Sequence, residues 1–370
     1  MRGEALSVLS GHPETGADPA IGRAAALLGG ARRPVIAGLG CDVDGVRAAL
    51  RLAAALGASV DHAARAHGRS ELRVLADSGV MTTTVAEARH RSDLIVLAGP
   101  GAVAWADHAK AFADAGGLYS WRGERGVLCL ATGGARPAHV ATGTPVAALG
   151  DGMSLHRVLS LLRARVGQKP VAPLPGNGPA LAAIDAVALQ MKSAAFGVMI
   201  VDANDADHVT LDALQALVKD LNKETRFTTL GVPAHHHGRG AHLVSAWTTG
   251  GHLPVGLGRG YPEQDDWVHD AERRVTAGEA DALLWIGALG PDLPAWAAGV
   301  PTVALIHHGA TANTADVVIE VGVPGVTHGG VLMDAVRDGF AAVDAKAPQP
   351  LPSVAAVIAG IEAALIGGNP

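Results

Sequence analysis

Short runs of Val, Ile, Leu and Ala, each released by turn residues and bounded by stretches of helical periodicity, recur along almost the whole of this chain. An unbroken apolar run has no polar face to turn to water. The strand it forms must be covered on both sides, and the helices that connect parallel strands supply that cover. The alternation predicts an α/β protein with mostly parallel sheets between helix layers and excludes an all-β sandwich or a helical bundle. Strands are expected at 34–38, 58–61, 94–98, 127–131, 198–202, 227–230, 282–287, 302–306 and 317–320. Between them Val46, Leu50, Ala53 and Leu56 share one helical face, as do Leu155, Val158, Leu159, Leu162 and Val166, and Leu214, Leu217, Val218 and Leu221. These stripes are core positions.

Periodicity breaks in two places. Residues 168–179, with Pro170, Pro173, Pro175, Gly176 and Gly178, read as a linker or exposed loop. Residues 231–262 read as a second irregular zone, and so long a connection is more often a functional or interface segment than filler. Residues 351–366 read as a closing helix. A looser echo links Asp93-Leu-Ile-Val-Leu-Ala-Gly to Asp281-Ala-Leu-Leu-Trp-Ile-Gly, an aspartate before a buried strand that ends in glycine. Each marks a separate Rossmann-like unit.

A chain of 370 residues fits two or three domains. Apolar residues make up 49% and charged residues 17%, which suits tightly packed α/β layers and argues against disorder. The net charge of −6 and an aromatic content of 3% offer no basic footprint or stacking platform, so nucleic acid is not an expected partner. Cys41 and Cys129 are the two cysteines. They cannot by themselves hold an iron–sulfur cluster, which takes about four thiolates, and they read as small core residues. No basic-then-apolar leader opens the chain and no apolar run reaches the roughly 18 residues of a membrane span, so a soluble, cytoplasmic protein without a membrane partner is expected.

Residues 59–70 read Ser-Val-Asp-His-Ala-Ala-Arg-Ala-His-Gly-Arg-Ser. Downstream stand Trp247-Thr-Thr-Gly-Gly and Gly258-Arg-Gly-Tyr-Pro, the latter a loop sequence with no patterning reason to exist. Together with Pro34-Val-Ile-Ala-Gly-Leu-Gly and the Asp93 strand, these segments resemble the B subunit of formylmethanofuran dehydrogenase, a tungsten or molybdenum pterin enzyme of the dimethyl-sulfoxide-reductase superfamily. The resemblance spans roughly 34–340. Asp61, His67, Gly68 and Ser70 match the family pattern; Ala66 stands where it carries a metal-binding cysteine, and Arg69 also departs. A methyl group has no lone pair to give a metal, whereas a thiolate is the soft ligand such a site uses.

The resemblance implies two Rossmann-like αβα domains with mostly parallel sheets, like the central domains of dimethyl-sulfoxide-reductase-type enzymes without the iron–sulfur domain. Residues 1–66 and 241–370 would form one discontinuous domain, and 67–240 the domain inserted in it. His67 and Arg259 align with the family's active-site histidine and arginine and would be vestigial here. Pro100-Gly101-Ala102 replaces a more polar turn that would meet a pterin nucleotide. Residues 1–33 lack the cluster-binding cysteines of the family's opening domain. No catalytic, cofactor-binding or metal-binding residue is therefore expected, and no cofactor. The chain is most like the B subunit of the bacterial formyltransferase/hydrolase complex, which implies A, C and D subunits as partners. Hydrolysis would fall to an amidohydrolase-like A subunit, formyl transfer to D, and scaffolding to this chain. The alternatives are an active tungsten or molybdenum subunit, with His67 as a replacement ligand or the pterin alone holding the metal, and a free-standing nucleotide-binding protein.

Other motifs are weaker. His235-His236-His237 with His242 and His252 invites a metal, yet adjacent histidines cannot easily face one ion, and a loop packed where subunits meet is the preferred reading. His307-His308 follow a strand end and read as turn residues. Gly38, Gly40 and Gly45 miss the spacing of a dinucleotide loop. Asp316 reads as a turn or cap residue.

Overall fold

The computed structural model describes residues 19–113, 125–172 and 180–367, and the side chains of all of these except 65–70. The chain divides into two compact units. One comprises 1–69, 234–334 and 339–370; the other comprises 70–233 with 335–338.

The first unit is built on a seven-stranded sheet in the order Val317–Glu320, Thr302–Ile306, Ala282–Gly287, Pro34–Gly40, Ser59–Val60, Val255–Gly256, Glu263–Gln264. The first five are parallel; the last two run antiparallel to their neighbours. Successive side chains of a strand point to opposite faces, and both faces are buried. Ile36 and Leu284 join helices Pro19–Gly29, Val43–Leu56, Gly238–Thr249 and Val354–Gly367 in one core; Val35, Ala37, Leu283 and Trp285 pack with Ala271 and Val275 in the other. An antiparallel hairpin, Gly330–Asp334 with Gly339–Val343, stands apart from this sheet.

The second unit holds a fully parallel five-stranded sheet in the order Val146–Leu149, Gly126–Leu130, Leu94–Ala98, Phe196–Val201, Arg226–Gly231. Val96 and Leu128 face helices Leu155–Val166, Leu181–Ser193 and His208–Leu221, while Ile95, Val127 and Val198 face Ala88, Ala102 and Phe112. Each of the three apolar helical stripes lies on a helix, at Val43–Leu56, Leu155–Val166 and His208–Leu221.

The expected α/β layering is present, and five short strands were not anticipated. Val146–Leu149 is a mostly exposed edge of Val and Ala, Val255–Gly256 and Glu263–Gln264 are too short to carry a period, and the hairpin strands are only half-buried. The zone 231–262 is corrected: it contains the 12-residue helix Gly238–Thr249. That helix buries Gly238, Gly240, Ala241, His242, Val244 and Ser245, a face of small and polar residues that leaves almost no apolar stripe. Of the expected linker 168–179, residues 173–179 lie outside the described residues. Among the described residues no helix is long and apolar enough to cross a membrane.

Candidate functional site

Open parallel sheets hold ligands in the crevice at the strand carboxyl ends where the winding of the chain reverses. In the first unit the reversal falls between Pro34–Gly40 and Ala282–Gly287. A cavity of about 190 Å³ lies there, with Gly38, Asp61, His62, Trp285, Asp292 and Trp296 in its wall.

The polar side chains at this edge are engaged with the chain's own backbone. Asp61, 1% exposed, accepts the amide protons of His62 at 2.8 Å and Ala271 at 3.0 Å, tying the strand Ser59–Val60 to the start of helix Ala271–Thr276. His62 accepts from the Ala64 amide at 2.8 Å through Nδ1 and donates from Nε2 to the His236 carbonyl at 3.2 Å. His236 donates to Leu289 O at 2.8 Å and His237 to Cys41 O at 2.7 Å. Both residues are left-handed, with φ of 56° and 62°, a conformation that costs a side-chain-bearing residue about 1 kcal/mol. The two ring bonds hold that strained turn at the start of helix Gly238–Thr249. Burial pushes the His237 imidazole below its ordinary pKa, against the opposing pull of the Cys41 carbonyl and Asp42.

The glycine turn after the first strand is occupied by protein. A methyl group on Gly38 would stand 2.6 Å from Ile286 O, and one on Gly40 would stand 1.8 Å from Gly290 O, so these glycines admit backbone. The helix that follows is capped by Asp42, which accepts from Gly45 N at 3.0 Å and whose carboxyl burial holds above the usual range. The second unit repeats the device at its own reversal, between Leu94–Ala98 and Phe196–Val201. There Asp205 accepts from Gly101 N at 2.7 Å at the start of helix Pro100–His108, and burial raises its pKa, with Asp202 adding to the rise. A helix N-terminus is a natural anion seat. At both turns a carboxylate of the chain already holds one of its amides.

The remaining residues singled out in the sequence are dispersed. Ala66 and His67 lie on helix Arg65–Ser78, with side chains outside the described residues. Arg259 is 71% exposed and pairs with Glu263 at 3.1 Å. Cys41 and Cys129 are free and buried; burial raises both thiols, Cys129 to about 11, so neither is a ready nucleophile. His307 donates to His308 O, His308 meets Glu320 at 3.1 Å, and Asp316 accepts from Thr302 N at 2.8 Å. Among the described residues no group of three or more His, Cys, Asp or Glu is placed to hold a metal.

Comparison with known proteins gives this arrangement its relatives. The chain is 37% identical over 352 residues to the B subunit of the formyltransferase/hydrolase complex Fhc of Methylorubrum extorquens, covering 93% of this chain and 92% of that one. The chain belongs to the family of Fhc B subunits. No family model matches it. The likeness of this Fhc B-type chain to its relatives is also evident in three dimensions. A chain in the crystal structure of the Methylorubrum extorquens formyltransferase/hydrolase complex FhcABCD with methylofuran superimposes with a TM-score of 0.84, at 36% identity, covering 96% of this chain and 97% of that one. A more distant relative is the B subunit of the tungsten-containing formylmethanofuran dehydrogenase 2 of Methanocaldococcus jannaschii, 30% identical over 145 residues, 36% of this chain and 33% of that one.

For this member of the Fhc B family, sequence reasoning passed over Asp42, His62 and Asp205, which fasten backbone at the strand ends. Asp42 carried a readable signal: an aspartate immediately before the first apolar residue of a helical stretch is a capping pattern. Asp205 carried none, since its partner Gly101 is 104 positions away.

Proposed function

We propose that this chain is the redox-inactive B subunit of a formyltransferase/hydrolase complex and holds its A, C and D partners in register for formyl transfer and hydrolysis to formate. The observation that carries this reading is the match to the Fhc B subunit over nearly the full length of both chains. Two features support the absence of redox work here. Ala66 offers no thiolate where a pterin enzyme would bind its metal, and at both crevice turns a carboxylate, Asp42 or Asp205, already accepts from a helix-start amide. His67 and Arg259 are retained residues without a catalytic part on this reading. The complex works in the cytoplasm, which fractionation of host cells checks.

The test is affinity purification of the tagged chain from its native host, with quantitative mass spectrometry of the recovered proteins and elemental analysis for tungsten and molybdenum. The A, C and D subunits should be recovered in fixed ratio, with metal far below one atom per chain. Stoichiometric metal would favour the active formylmethanofuran dehydrogenase that the partial tungsten-enzyme match represents. Purification as a lone monomer would favour a free-standing nucleotide-binding protein. Either result overturns the proposal.

A further inference from the structure

Around one edge strand of the first unit's sheet, Glu263–Gln264, the chain exposes Tyr261 by 54%, Trp267 by 68% and Val268 by 40%. In a chain this poor in aromatics, such exposure calls for a physical cause. Trp267 is also held with unusual thoroughness. The Asp265 carboxylate accepts from the amides of Trp267 at 2.9 Å and Val268 at 2.8 Å, fixing the turn. Arg273 lies over the indole, 4.1 Å from its centroid, and donates to Trp267 O at 2.7 Å and Val268 O at 3.0 Å. Glu279 clamps the same guanidinium with two contacts of 2.7 Å. Asp265 is drawn below the usual carboxylate range, first by the Val268 and Trp267 amides, so it stays ionised in this role at neutral pH.

An exposed indole that is already ordered loses little entropy on docking, and rigid tryptophans of this kind are the residues that dominate protein interfaces. Charge narrows the occupant. From 259 to 279 six carboxylates (Glu263, Asp265, Asp266, Asp270, Glu272, Glu279) stand against three guanidiniums, Arg259, Arg273 and Arg274. Of these, Arg259 pairs with Glu263 and Arg273 with Glu279. Nucleic acid and an anionic membrane would be repelled by such a corner. A second copy docked about a two-fold axis would set acid against acid.

We infer that this corner is a docking surface for a partner subunit that offers an apolar pocket for the Trp267 indole, rimmed by lysine or arginine side chains. The inference rests on the proposed function and specifies how assembly occurs. The test introduces Trp267→Ala, Tyr261→Ala and Trp267→Phe separately into the tagged chain in its native host. Recovery of each partner is measured by mass spectrometry across a salt series from about 50 to 500 mM, with circular dichroism and melting of each variant.

Trp267→Ala should lower recovery of one partner by about tenfold or more, Trp267→Phe should restore part of it, and folding should be unchanged because the indole lies outside the cores. Recovery by the wild type should fall as salt rises. Wild-type recovery of all partners by a folded Trp267→Ala variant overturns this inference and leaves the proposed function standing. A wild-type chain that recovers no partner overturns both, and a wild-type homodimer broken by Trp267→Ala replaces the partner subunit with a second copy.

Discussion

At the scale of single residues, several carboxylates and imidazoles are committed to backbone groups. Asp93 accepts from the amides of Ala195 at 2.8 Å and Phe196 at 2.9 Å, and Asp281 accepts from those of Arg32 and Arg33, both at 2.8 Å. Asp316 does the same for Thr302. Each stands just before a strand and fastens the entry of the parallel strand beside it, which gives the echo between the Asp93 and Asp281 segments a physical cause. Asp93→Ala should cost about 2–3 kcal/mol, because it strands the buried Phe196 amide, whereas Asp281→Ala, with exposed amides, should cost about 1 kcal/mol. Urea denaturation of both variants checks the order. The imidazoles set a pH dependence: burial depresses both His237 and His269 below the ordinary value of 6.5. A depressed cationic group contributes stability that is full above its unfolded pKa and is lost as pH falls through the folded one. Stability of the first unit should therefore decline on acidification below 6.5, and His237→Gln should flatten the decline. A profile unchanged by that substitution would remove His237 from the account.

At the scale of elements, glycines mark where two pieces of chain approach too closely for a side chain. A methyl on Gly197, in Phe196–Val201, would stand 2.0 Å from the Phe227 ring of the adjacent strand, although its backbone is ordinary. Gly197→Ala should cost about 1–3 kcal/mol by overpacking. A methyl on Gly240 would meet His237 Nε2 at 2.0 Å, so Gly240→Ala should displace the imidazole from the Cys41 carbonyl and reproduce part of the His237→Gln phenotype, read by the same pH series. Long strands were legible because a doubly buried strand is written as a continuous apolar run. Expected and observed bounds coincide for Leu94–Ala98, Ala282–Gly287, Thr302–Ile306 and Val317–Glu320. The helix Gly238–Thr249 was not legible, because it buries glycine, alanine, serine and histidine and so lacks the stripe by which an amphipathic helix is recognised.

At the scale of the whole molecule, two units with separate cores imply that unfolding is not a single transition. Gly197→Ala should move the transition of the second unit alone. In Gly256, an added methyl would meet the His269 ring at 2.0 Å, so Gly256→Ala should move that of the first. Hydrogen exchange resolved by peptide would show which core each variant loosens, and equal loosening of both cores by either variant would contradict independent units. The sequence by itself determined the α/β layering, the main strands, the helical stripes and the chemical gap at Ala66, since all of these depend on side-chain type and on neighbours near in the chain. Tertiary structure alone decided the fate of the crevices. His62 reaches His236 across 174 positions, His237 reaches Cys41 across 196 and Asp61 reaches Ala271 across 210. Whether a buried carboxylate or imidazole is a catalyst or a fastener depends on which backbone groups the fold brings within about 3 Å of it, and no local pattern records that.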